Sequence, residues 1–371
     1  MRARLVILLG VASCGRFGFE SRLGGELADG GDLADAPAID AAVVPNVAFV
    51  TSTASTGALG GLAGADATCR MLASSAGLPG TYVAFLATAT ATASSRLGSA
   101  SGWVRVDGAP IADTASSLVR QTLDPIDRDE HGNATTSMWA WTGIGIDATP
   151  EAIGPTCNDW TSAAGASSGY IADPVFDLPI GLGLGGGQAC NLPASFYCFG
   201  IDRAAHLPPP GAPGRIAFVS TPIASGGGLA AFDARCAAEA AAAGLPGSYL
   251  AAVATSIASI ASRFTMDGRV WTRVDGIPVA DGGPTLFSGA TLLRGFIDLL
   301  ADGTYVANAY TFTGAADAVS LATSQNCTNW TSAASGAPVT LGRQEETAPS
   351  YWWNSAGSTC APMQHLLCLQ R

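Results

Sequence analysis

The residues of this sequence most able to do chemistry are its nine cysteines, and their spacing narrows which chemistry that is. Cys69, Cys157, Cys190 and Cys198 are followed by Cys236, Cys327, Cys360 and Cys368, one pattern of four written twice, while Cys14 stands apart near the N-terminus. No pair has the two-residue gap of a zinc knuckle, and the members lie far apart, so a metal site fits poorly. An even set at matching positions in an exported chain reads as a disulfide framework. Four cysteines permit three pairings in each set, and spacing alone does not choose among them.

Other reactive groups are scarce. All 18 basic side chains are arginine, which excludes a Schiff-base or phosphate-loop lysine. The three histidines are His131, His206 and His365; no serine or cysteine nucleophile motif accompanies them, and no carboxylate pair is assigned a catalytic role. The expectation is therefore a protein without catalysis and without a cofactor. Asp124, Asp127, Asp129 and Glu130 form a dense carboxylate cluster that could hold Ca²⁺. Only Asp298 answers it in the second copy, opposite Asp127, so an acidic solvated loop is the preferred reading and no metal is assigned. Tyr351-Trp352-Trp353-Asn354 has no counterpart in the first copy, and its aromatics suit a sugar or peptide face. Core packing is the equal alternative. For Trp160 and Trp330, which recur three residues after a cysteine, core is preferred.

The chain that positions these groups has 371 residues, is 48% hydrophobic and 13% charged, and carries a net charge of −11. That charge argues against a nucleic-acid partner. Arg2 and Arg4 precede a short apolar run, Leu5 to Ala12, that suits a signal peptide and is too short to span a bilayer. Val11-Ala-Ser-Cys14 looks like a bacterial lipobox, so residues 1–13 are expected to be removed and Cys14 lipidated. Gly15 in place of Asp points to the outer membrane or cell surface of a Gram-negative bacterium. Residues 14–46, rich in Asp, Glu, Gly, Ala and Pro, read as an acidic tether.

Beyond the tether one domain is written twice. Val47-Ala-Phe-Val recurs as Ile216-Ala-Phe-Val, Ala76-Gly-Leu-Pro-Gly as Ala243-Gly-Leu-Pro-Gly, and Arg105-Val-Asp-Gly as Arg273-Val-Asp-Gly. Trp141-Thr-Gly becomes Phe312-Thr-Gly, and Cys157-Asn-Asp-Trp-Thr-Ser becomes Cys327-Thr-Asn-Trp-Thr-Ser. The copies run over 47–200 and 216–371, with a Pro-rich linker at 201–215. Residues 47–200 hold five arginines against twelve carboxylates, and 215–371 hold eight against ten.

Helical spacing of Leu62, Ala65, Cys69, Leu72 and Ala76 predicts a helix stopped by Gly77 and Pro79; Leu229, Phe232, Cys236 and Ala243 repeat it. Short strands are expected at 48–51, 103–106, 138–142 and at the ends of both copies, 196–199 and 366–369. The whole is an α+β pattern with long irregular loops. The recurring Arg-Val-Asp-Gly reads as a strand ending in a turn.

The stretch 57–69, Ala76-Gly-Leu-Pro-Gly-Thr-Tyr82, Trp141-Thr-Gly143, Cys157-x-x-Trp160-Thr and the closing Cys190…Tyr197-Cys198 resemble, in order, the endostatin domain of collagens fifteen and eighteen, within the C-type-lectin-like fold. The likeness is closest to a bacterial branch of unknown function found in exported proteins and lipoproteins. It implies two tandem C-type-lectin-like domains with nested bridges, Cys69–Cys198 around Cys157–Cys190 and Cys236–Cys368 around Cys327–Cys360. The calcium-dependent sugar motifs of true lectins, and the arginine surface and zinc histidine of vertebrate endostatin, have no matching residues here. The function expected is binding of a glycan, matrix polymer or protein by a lipid-anchored envelope protein, independent of calcium. The alternatives are a structural or adhesion component without a small ligand and, third, a hydrolase of extracellular polymers.

Overall fold

A computed structural model describes residues 44–118, 122–145, 153–176, 186–207, 214–289, 292–307 and 309–371. Cys14, the signal segment and nearly all of the expected tether lie outside the described residues. No described helix is long and apolar enough to cross a membrane.

The first repeat runs β1 (Asn46–Val50), α1 (Gly61–Ser75), β2 (Tyr82–Ala84), β3 (Trp103–Val104), β4 (Pro110–Ala112), α2 (Ala115–Leu118), β5 (Ala140–Trp141), α3 (Cys157–Trp160), β6 (Ser168–Ala172), β7 (Gly187–Ala189) and β8 (Ser195–Gly200). In the second the order returns as β9 (Arg215–Val219), α4 (Gly228–Ala242), β10 (Tyr249–Ala251), β11 (Trp271–Arg273), β12 (Pro278–Ala280), α5 (Gly283–Ser288), β13 (Tyr310–Phe312), α6 (Cys327–Trp330), β14 (Pro338–Arg343), α7 (Pro349–Asn354), β15 (Ala356–Thr359) and β16 (Leu367–Gln370). Only α7 lacks a described counterpart. The result is a mixed α+β structure dominated by short strands.

Pairing repeats with the order. The sheet of the first repeat runs β4-β3-β1-β8-β5-β6-β7, with β2 also on β8. In the second, β10-β16-β9-β11-β12 and β13-β14-β15 form two sheets, joined at the equivalent place by one parallel bridge, Thr311 to His365. The strands at the middle are buried on both faces, and their period of two sorts side chains between two cores. Ala48, Val50, Tyr197 and Phe199 enter one core; Phe49, Phe196 and Cys198 enter the other, with Leu72, Trp141 and Trp160. Ala217, Val219, Leu367 and Leu369 against Phe218, Leu366 and Cys368 divide the same way.

Helix α1 buries Ala65, Cys69 and Leu72 of the stripe its spacing predicts, together with Ala73, while Leu62 and Ala76 at its ends are partly buried. It ends in a Schellman cap: Gly77 takes φ 71° and Leu78 N–H bonds Ala73 O at 2.9 Å. Leu245 N–H to Ala240 O repeats the cap after α4. Four bridges close the repeats: Cys69–Cys198, Cys157–Cys190, Cys236–Cys368 and Cys327–Cys360. The outer pair in each repeat ties the long helix to the last strand. On the chain-entropy relation, loops of these lengths stabilise by about 4–5 kcal/mol for the outer bridges and somewhat less for the inner.

Two expected strands are shorter than the sequence pattern allows. The 103–106 strand stops at Val104 because Arg105 turns back, with Arg105 N–H on Ala109 O and Gly108 N–H on Arg105 O. The 138–142 strand keeps only Ala140–Trp141, since Met138 faces solvent.

Candidate functional site

Arg105 and Arg273, which sequence placed at the end of a strand, are buried. Arg105 grips Asp107 through Nε and Nη2 at 3.0 and 2.8 Å and reaches Asp127 through Nη1 at 2.7 Å. Arg273 does the same with Asp275 at 3.1 and 2.6 Å and Asp298 at 3.1 Å. Each then crosses into the other repeat. Arg105 Nη1 donates to Arg294 O at 3.3 Å, and Arg273 Nη1 donates to Leu123 O at 3.1 Å. Leu123 and Arg294 hold the same place in their repeats, so the contact is reciprocal, as in an isologous dimer. Burial works against the charge of Arg105, and Asp127, Asp124 and Asp107 outweigh it, so its guanidinium holds its proton more tightly than usual.

A second crossing follows the same local symmetry. Phe176 forms an antiparallel bridge with Glu346, its own counterpart, and Thr347 N–H donates to Val175 O at 3.1 Å. Arg343 lies over the Phe176 ring at 4.7 Å and bonds Glu345 at 3.2 Å. The repeats are therefore packed together along a seam and are not simply strung on a spacer.

Three carboxylates at this seam are pushed up by burial. Asp124 rises to about 7 although Arg105 and Arg273 pull it down. Asp173 rises to about 6, and Glu346 to about 8. Asp124 Oδ1 and Glu346 Oε2 are buried without a hydrogen-bond partner. Asp124, Asp107, Gly108, Pro278 and Arg294 contribute to the lining of a cavity of about 160 Å³ drawn from both repeats.

The Asp124–Glu130 stretch does not converge on one point. Asp124 faces the seam and Asp127 pairs with Arg105 and Arg128. Asp129 accepts the His131 and Asn133 N–H groups, and Glu130 caps Ser52 N–H and its hydroxyl. The preferred solvated loop is thus corrected as well: all four side chains are buried and committed to different places. No group of three metal-ligating side chains occurs among the described residues. In the second repeat Ala301 replaces Glu130, and Glu239 on α4 caps Thr221 instead, so the same strand end is held by a carboxylate from another element.

The aromatic run also needs correction. Trp352 and Trp353 are 0% and 1% exposed, edge-on to each other in the core with Phe287, because α7 turns that face inward. They offer no ring to a ligand. Tyr351 and Asn354 do reach solvent, Tyr351 at 52%. Trp160 and Trp330 are buried, each indole N–H bonded to a carbonyl, Ala87 O and Ala254 O. His365 is bonded to Ser220 O, His206 to Asp113, and His131 lies 3.9 Å from Glu130.

Three features were not read from the sequence. The first is a left-handed turn: Cys157 to Trp160 all take φ between 51° and 65°, and Cys327 to Trp330 between 52° and 68°. Such backbone costs about 1–2 kcal/mol per residue, and it is held by the inner disulfide and a Thr156 or Asn326 cap. Gly143 and Gly314 leave room for it, since a side chain there would meet the Trp160 or Trp330 ring at 2.9 or 2.6 Å. The second is the pair Asp66–Arg96 and Asp233–Arg263, in which the carboxylate also accepts Ala84 N–H or Ala251 N–H and the arginine donates to the same residue's carbonyl, tying the long helix to β2 or β10. Both recur at one offset, which is the signal that could have revealed them. The third is an exposed apolar tip on the second repeat. Ile257, Val319 and Leu321 lie on loops held together by Ala322 N–H to Thr255 O and Ala261 N–H to Ala318 O.

The fold thus defines a disulfide-stapled α+β protein built of two repeats. Residues 52–174, within the first repeat, match a family described as a protein of unknown function, DUF1554. No curated protein matches the chain.

Proposed function

We propose that this chain is an exported envelope lipoprotein, anchored through Cys14, whose two C-type-lectin-like, endostatin-like repeats bind a glycan, matrix polymer or protein without chemistry. The observation that carries the reading is the set of four disulfides at matching positions in the two repeats. Bridges of this density belong to oxidising compartments and to domains that hold long loops on a small core. The DUF1554 match is consistent with a bacterial domain of unknown function. The exposed Ile257, Val319 and Leu321, with Tyr351, supply the apolar contact that a polymer face would use.

The test is a glycan and matrix-polymer array with the full chain, with and without chelator. Saturable, chelator-resistant binding that falls on Ile257→Ser or Tyr351→Ala is the expected result. A blank array, with the chain folded, moves the assignment to a structural or adhesion component. Loss of acyl labelling in Cys14→Ser is expected for the anchor.

A further inference from the structure

The cavity at the seam carries an inference that is independent of any polymer binding. Asp124 is 1% exposed, lines the cavity, and its Oδ1 accepts no hydrogen bond. Its neighbours are already paired: Arg105 with Asp107 and Asp127, Arg273 with Asp275 and Asp298, Arg294 with Asp281. The room for it is built into the other repeat. Gly295 occupies the place that Asp124 holds in the first copy, and any side chain there would collide with Asp124 Oδ1. The φ of Gly295 is not positive, so glycine is required there by space and not by backbone conformation.

We propose that this cavity holds the protonated amino group of a small organic solute, with Asp124 as its counter-ion. A buried carboxylate that accepts nothing calls for a cationic donor, and an ammonium group brings three N–H bonds to one point. Asp107 supplies a second carboxylate on the same wall. A hard divalent ion needs six to eight oxygens, and the described residues hold no group of three metal-ligating side chains. The volume of about 160 Å³ admits a solute of a few heavy atoms. Arg294, half-exposed on the lining, gives Asp281 a hydrogen bond through Nη1 and can turn the rest of its guanidinium to a carboxylate on the same solute, so simple amines and amino acids share the recognised group and differ in whether they engage Arg294.

Isothermal titration of the full chain with ethylammonium, glycine, acetate and calcium tests the assignment. Ethylammonium or glycine is expected to bind saturably at pH 8 and acetate not at all; glycine binding more tightly than ethylammonium would mark engagement of Arg294. Asp124→Asn is expected to lose at least tenfold in affinity while still melting in one cooperative transition. Should that variant fail to fold, the wild type decides: at pH 6 binding of the amine must release a proton, read as a heat that varies with buffer ionisation. Binding of acetate or calcium alone, undiminished amine binding by a folded Asp124→Asn, or absence of proton release overturns the proposal.

Discussion

Phe176 and Glu346 hold the same position in the two repeats, and they pair with each other in an antiparallel bridge. A residue meeting its own counterpart marks a local two-fold axis, and the reciprocal contacts of Arg105 with Arg294 O and Arg273 with Leu123 O obey the same symmetry. The symmetry is broken where it matters energetically. Phe176 faces Glu346, and Asp124 faces Gly295, so neither large nor charged groups collide with copies of themselves.

Removing one member of a buried ion pair strands the other. Arg105→Ala leaves Asp127 buried opposite nothing but the partly exposed Arg128, and a loss of about 3–5 kcal/mol is expected, measured by urea denaturation. Arg105→Lys should recover little of it, because one ammonium cannot replace a fork that reaches Asp107 and Asp127 together.

Stability should fall as pH rises. Asp124, Asp173 and Glu346 have folded values of about 7, 6 and 8, above the ordinary carboxylate range. Below about pH 4 both states hold these protons and the contribution is complete. Between there and about pH 8 the unfolded chain releases them first, so the folded state weakens, by on the order of a few kcal/mol. Urea midpoints from pH 4.5 to 8.5 check this, and Asp124→Asn should flatten the profile.

Trp352→Ala is expected to destabilise by about 3–5 kcal/mol as a large-to-small core change, visible as a lower melting temperature. A variant that melts like the wild type would contradict its placement in the core.

These three outcomes bear on what the sequence could and could not announce. The duplicated cysteine pattern, the stripe on α1 and the buried Trp160 were legible, because repetition and period record burial directly. Arg105 was not. A charged residue before Val-Asp-Gly looks like the exposed end of a strand, and its burial rests on contacts distant in sequence, with Asp127 and with Arg294 O of the second repeat. The left-handed turn at Cys157–Trp160 contains no glycine, the usual mark of such backbone, and Asn158 and Asp159, which tolerate it, are as common in ordinary turns. For Trp352 and Trp353 an aromatic pair is equally at home in a core or on a binding face, and α7 decides by turning them inward.

Cys69→Ser with Cys198→Ser opens the outer bridge between α1 and β8 and is expected to cost about 2–5 kcal/mol. The matching change at Cys236 and Cys368 should act alike, since those bridges span equivalent elements. Denaturation under non-reducing conditions measures both.

The most direct measurement of the shared seam is a cross-link at its axis. In Phe176→Cys with Glu346→Cys, facing β-carbons of a bridged pair come within reach of a disulfide. Packing of the two repeats as described predicts an intrachain bond joining residues 176 and 346, seen by mass spectrometry of unreduced peptides. Two free thiols, or a bond only between chains, would contradict it.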